Sequence, residues 1–195
     1  MLSRAFDPPA RFSLFAKSPY DGDGFKLAVD HQFREKKGKD ISNWSPENAR
    51  FSLEYLMADA VRRKEPIRIV ADDFEAVYDS LAEILQNKVI DHVPVGLIVK
   101  SSAVERPASD FYTVIDRSKN GFIHFDCEDS SPNFFLVGSE AYRLELKGDG
   151  SSKINFSNEG VGSFLQSHFD RNFPDFADVI ERSRHETHEN NDLEY

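Results

Sequence analysis

The sequence predicts a mixed α/β domain: a mainly parallel sheet flanked by helices, with antiparallel strands in the C-terminal third. Two observations carry this. From Trp44 to Ser101 helical and strand patterns alternate, which implies parallel strands joined by crossovers. After Gly121 apolar strands follow at short spacing, and links that short fit antiparallel neighbours.

The first helix opens at Ser45-Pro46-Glu47, with Ser as N-cap, Pro in the first turn and an acid beside it. Phe51, Leu53, Tyr55, Leu56, Ala60 and Val61 continue it, and Arg62-Arg63-Lys64 suit its C-terminal dipole. Pro66–Ala71 (PIRIVA) is a buried strand. Asp72 or Asp73 caps the next helix, whose stripe is Phe74, Val77, Leu81, Ile84 and Leu85. Val93–Ser101 is a second buried strand and Phe111–Arg117 a short helix. Gly121–Asp126 alternates as a strand. NFFLV and AYRLELK form two strands around Gly138, and KINF (Lys153–Phe156) is a third. Helices over Glu159–Phe169 and Phe176–Arg184 close the unit, separated by Pro174.

The ends read differently. Arg11–Lys17 and Phe25–Val29 suggest two strands joined by the turn PYDGDG, followed by a basic loop. Asp21 and Asp23 lack the ligand spread and closing Glu of a calcium loop. The chain therefore divides into an N-terminal extension or hairpin (1–43), the α/β domain (44–184) and a flexible acidic tail (185–195). No internal repeat is visible.

Composition narrows the function classes. The chain has 195 residues, 39% of them hydrophobic and 17 of them Phe, which is enough for a core of its own. Its net charge of −10 argues against binding nucleic acid by charge alone. The basic residues Arg34, Lys36, Lys37, Lys39, Arg62, Arg63 and Lys64 are either solvated charges or a weak site for nucleic acid or an acidic partner. One cysteine, Cys127, permits neither an intrachain disulfide nor a cysteine metal cluster, and its acidic neighbours disfavour a thiolate. HETHE (His185–Glu189) spaces its histidines at i and i+3 rather than the i and i+4 of a zinc helix, so no metal site and no cofactor is expected. Pro8 and Pro9 interrupt any leader-like apolar run, and no apolar stretch approaches a membrane span, so a cytoplasmic protein is expected.

The order of elements over roughly residues 45–180, and the segments NFFLVGSEAYRLE, KINFSNEG and FLQSHFDRNF, resemble the phospholipase D-like superfamily, in particular its divergent single-unit bacterial members. In that family a strand carries H-x-K-x-x-x-x-D. The histidine attacks phosphorus, the lysine two residues on holds the phosphate oxygens, and the aspartate past the strand orients a histidine. Two units, in one chain or across a dimer, supply nucleophile and general acid. Laid on this pattern, SPNFFLVGS places Ser131 at the histidine, Asn133 at the lysine and Gly138 at the aspartate. A register two residues later gives Asn133, Phe135 and Glu140, again with neither imidazole nor ammonium. The resemblance thus implies a catalytically inactive domain that binds a protein partner or its own copy within a bacterial multi-protein system, with anti-phage defence as one setting.

Two alternatives remain. One is a phosphodiesterase or nuclease with an unconventional site formed in a dimer, using His124 or the Asp72–Asp73 pair. Against it, His124 also reads as a half-buried histidine bonded to backbone, and the two aspartates as helix caps. The other is a nucleic-acid-binding accessory protein that uses the basic residues above.

Overall fold

A computed structural model describes residues 22–36, 38–43, 45–72, 76–100, 108–126, 132–146 and 151–191. In chain order the elements are α1 (Gly22–Glu35), β1 (Ile41–Asn43), α2 (Pro46–Arg63), β2 (Ile67–Ala71), α3 (Ala76–Asp79), α4 (Ala82–Ile84), β3 (Val95–Lys100), α5 (Asp110–Arg117), β4 (Gly121–Asp126), β5 (Phe134–Val137), β6 (Ala141–Glu145), β7 (Ser152–Asn155), α6 (Glu159–Asn172) and α7 (Pro174–Asn191). The strands form one seven-stranded sheet in the order β1-β7-β6-β5-β2-β3-β4.

The class is mixed α/β, as the sequence predicts, but "mainly parallel" needs qualification. β2, β3 and β4 pair in parallel, while β2–β5, β5–β6, β6–β7 and β1–β7 are antiparallel. Strand directions do favour one sense: only β5 and β7 run against the rest. Both lie between strands of the other sense, so antiparallel contacts outnumber parallel ones.

Alternation along the strands separates two cores. On one face Ile67, Ile69, Val95, Leu97, Val99, Phe135 and Val137 pack against Val29 of α1, Leu53 and Leu56 of α2, Val77 of α3 and Phe111 of α5. On the other, Val70, Ile98, Phe134, Leu136 and Tyr142 meet Leu165 and Phe169 of α6 and Phe173, Phe176 and Ile180 around α7. Gly96 is required beneath Phe176, because a Cβ there would lie 2.8 Å from the ring.

The local signals for α2 act as expected. Ser45 Oγ accepts from Asn48 N–H (3.1 Å), and the helix ends at Lys64 in the left-handed conformation (φ 57°). The next helix is broken where a continuous one was expected. Ser80 Oγ donates to the Val77 carbonyl (2.6 Å) and Leu81 N–H bonds to Tyr78 O (2.8 Å), tightening the turn. The chain then resumes as α4 and a π-helical turn over Leu85–Val89. Phe74 lies outside the described residues.

Both ends of the described residues depart from expectation. Phe25–Val29 is not a strand but part of α1. Phe25, Val29 and Phe33 recur at helical spacing and reach the core, and five mostly apolar residues were too few to exclude that period. Residues 22–43 are not an appendage either: α1 packs on α2, and β1 pairs with β7 (Ile41 opposite Ile154). Arg11–Lys17 and the first half of the turn proposed after it lie outside the described residues, and its second half, Gly22–Gly24, is the first turn of α1 rather than a hairpin turn. At the other end α7 runs through the expected boundary at 184 to Asn191.

Candidate functional site

The hairpin that should carry the site forms where expected. Its tight turn contains Gly138 at φ 59°, a conformation that favours glycine. Ser131 lies outside the described residues. Asn133, just before β5, stands at the strand ends where β2, β3 and β6 finish. Its Nδ2 donates to Asp72 Oδ1 (2.5 Å), beyond β2, and to Glu145 Oε2 (3.1 Å), at the end of β6. Arg143 Nη1 donates to Glu145 Oε1 (2.5 Å), and Lys100 Nζ, at the end of β3, lies 3.7 Å from Asp72 Oδ2. A polar chain therefore crosses four strand ends in the order Lys100, Asp72, Asn133, Glu145, Arg143.

This chain alternates in charge and sums to zero: two cations, two carboxylates and the amide that joins the carboxylates. Asn133 is a neutral amide clamped between two anions. The Lys100 and Arg143 side chains are only 5% and 10% exposed, and each faces a carboxylate. Arg143 Nε and Asn133 Oδ1 are the atoms of this chain that are buried without a hydrogen-bond partner.

Gly138 does not belong to this end. Five residues of extended chain separate it from Asn133, about 17 Å of strand. It sits instead at the start of β2, where its N–H bonds to Pro66 O (3.1 Å). A Cβ there would stand 3.2 Å from the Glu65 carboxylate, so a second carboxylate would meet the first.

The alternative catalytic residues are not brought together. His124, on β4, sits level with Ile98 and its ring packs on Phe173 (centroids 5.2 Å apart). β4 is the third strand from β5, about 14 Å across the sheet, so His124 is not beside Asn133. Asp72 bonds to Asn133, and Asp73 lies outside the described residues. Among the described residues no group of three or more His, Cys, Asp or Glu is placed to hold a metal. Cys127 is outside them, and HETHE falls within α7.

Three of the basic residues gather on one buried acid. Asp59 of α2 is fully buried, and Lys36 Nζ (3.2 Å), Arg62 Nη2 (2.5 Å) and Arg63 Nε (3.0 Å) converge on it. Arg63 also pairs with Glu140. Lys36 donates to Phe156 O (3.2 Å) and lies over the Phe33 and Phe156 rings, and burial pushes its ammonium below the usual lysine range against the pull of Asp59. Arg34 pairs with Asp30 (3.0 Å), Lys39 and Lys64 are exposed, and Lys37 lies outside the described residues. The sequence did not single out Asp59, Lys100, Arg143 or Glu145. The available signals were a lone acid among the alanines of α2 and charged residues inside apolar strands.

Two tyrosines tie the N-terminal segment to the domain. Tyr55 donates to Asp30 (3.3 Å), and burial, then that carboxylate, push its hydroxyl up to about 12. Tyr142 donates to Asp40 (3.2 Å), whose carboxylate also accepts from Asn155 Nδ2 (2.8 Å), and its hydroxyl is likewise raised by burial.

No family model and no curated protein matches the sequence. Among solved structures, NucT from Helicobacter pylori, a phospholipase D-like nuclease, superposes with a TM-score of 0.54 at 10% identity, covering 71% of this chain and 97% of that one. The fold is phospholipase D-like. At that identity the likeness concerns architecture alone. Among the described residues no helix is long and apolar enough to cross a membrane.

Proposed function

We propose that the chain is a phospholipase D-fold domain without hydrolytic activity, acting as a protein-binding or scaffolding subunit of a multi-protein system. The observation that carries this is Asn133. In the resemblance it occupies the phosphate-holding position, yet its amide is engaged by Asp72 and Glu145. A phosphate placed there would meet two carboxylates, and the cations nearby already face those carboxylates. Ser131 lacks the imidazole that forms the covalent intermediate.

A second reading is a phosphodiesterase or nuclease with an unconventional site. It is favoured by the nuclease NucT as structural neighbour. It would require His124 or the Asp72–Asp73 pair.

The two readings separate in one experiment. The purified chain and its His124→Ala variant are incubated with an aryl phosphodiester, DNA and RNA, with and without divalent cations. The first reading expects no turnover above the protein-free blank in any condition. Turnover by the wild type that disappears in His124→Ala establishes the second reading instead.

A further inference from the structure

α1 and β1 precede the segment, roughly residues 45–180, that carries the phospholipase D-like resemblance. NucT is matched over 97% of its length by 71% of this chain, so that architecture closes without the remainder. The leading segment is also held differently from the sheet it joins. Among the described residues of α1 and β1 only Val29 is fully buried. Phe25, Phe33 and Ile41 are half-buried, and Leu27 is 71% exposed. β2 and β3 are buried throughout. The rest of its attachment is polar and directional. Asp30 accepts from the Tyr55 hydroxyl (3.3 Å), and Lys36 Nζ donates to the Asp59 carboxylate and to Phe156 O (3.2 Å each). Asn155 Nδ2 donates to Gly38 O (3.0 Å) and Asp40 Oδ1 (2.8 Å), and the Tyr142 hydroxyl donates to the same Asp40 oxygen (3.2 Å). β1 pairs with β7 over three residues. Elements with few fully buried apolar side chains open at lower cost than the core.

We propose that α1 and β1 form a strap that opens as one unit while the rest of the domain stays folded. Opening leaves β7 with unpaired backbone groups and uncovers the rings of Tyr55 and Phe156 that Phe33 packs against, so the closed strap is the protection of that sheet edge. Two features let the domain survive it. The core beneath α6 and α7 contains no residue of α1 or β1. Asp59 keeps Arg62 and Arg63 when Lys36 leaves, so the buried acid is not stranded. The device does not depend on whether the end of β5 hydrolyses a diester.

Hydrogen exchange of the full chain, read by NMR, tests this. The protected amides of α1 and β1 should share one opening constant, about tenfold or more larger than that of β2 and β3. Asp40→Ala removes a tie of the strap and should raise exchange in α1 and β1 together by about tenfold. Asp170→Ala breaks the pair that Arg68 of β2 makes with α6, a contact the open strap leaves intact. It should speed β2 and β3 and leave α1 and β1 unchanged. If either variant fails to fold, the wild-type constants decide. The proposal is overturned if α1 and β1 exchange with the constant of β2 and β3. It is equally overturned if Asp40→Ala speeds β1 but not α1, or if Asp170→Ala speeds both sets alike.

Discussion

Replacing Asp59 with alanine removes the carboxylate on which Lys36, Arg62 and Arg63 converge. Asp59 is fully buried, and its three partners lie 2.5–3.2 Å away. Arg62 is 56% exposed and can turn to water, so its loss costs little. Lys36 is 28% exposed, held over two aromatic rings and left without its carboxylate, whereas Arg63, 19% exposed, loses Asp59 but keeps Glu140. Removing one partner of a buried ion pair costs about 3–5 kcal/mol. Two cations are affected but both keep part of their solvation, so the lower half of that range, about 3–4 kcal/mol, applies. For a domain of this size that lowers Tm by roughly 6–16 °C. Urea unfolding and thermal denaturation followed by circular dichroism give the two values. The double variant Asp59→Ala with Lys36→Met should recover part of the loss, because the stranded ammonium is gone and the thioether chain still packs on the rings. A loss below about 1 kcal/mol for Asp59→Ala would refute the reasoning, since that is what a solvent-screened surface pair contributes.

Other outcomes follow from the same contacts. Asn133→Ala leaves Asp72 and Glu145 facing each other without the bridging amide and should cost about 1–3 kcal/mol in urea unfolding. Gly162→Ala would place a Cβ 2.1 Å from Ser139 O, forcing α6 off the β5–β6 turn, and should cost about 1–3 kcal/mol or more in the same measurement. For pH, Tyr55 has its folded value raised to about 12 from 10.0, so it binds its proton more tightly folded than unfolded. Its contribution is complete below pH 10.0 and is lost as pH rises toward about 12. Tyr55→Phe should flatten that part of the stability profile, measured by urea unfolding across the alkaline range.

Much of the fold was legible because its signals are local. Ser45-Pro46 starts α2 by satisfying orphan amides, and apolar runs bounded by turns mark β2 and β3. What escaped depends on distant partners. FKLAV is a short, mostly apolar run that fits either period, and only the arrival of Val29 and Phe33 in the core, with Phe33 edge-on to Tyr55 and Phe156, decides for a helix. Ile41–Asn43 is a strand only because β7 lies beside it, more than a hundred residues later.

At the site, the sequence located the hairpin and the substituted positions, but not the geometry. Along the chain Gly138 looks like part of one motif with Asn133, yet β5 carries it to the opposite end of the sheet. Lys100, Arg143 and Glu145 come from separate strands and meet at Asn133 only through the sheet order β3-β2-β5-β6, which no single stretch encodes. Lys36, Arg62 and Arg63 read as solvated charges or a weak binding site because Asp59, the charge that gathers them, reads as one more helical residue.

The central claim is that the end of β5 no longer performs phosphoryl chemistry, because Asn133 joins two carboxylates there. The most direct measurement is steady-state turnover of the purified wild-type chain on an aryl phosphodiester and on single- and double-stranded nucleic acid, at enzyme concentrations approaching that of the substrate. Hydrolysis indistinguishable from the protein-free blank, with and without divalent cations, is the predicted result. Hydrolysis that scales with protein concentration and co-elutes with the folded chain would contradict it.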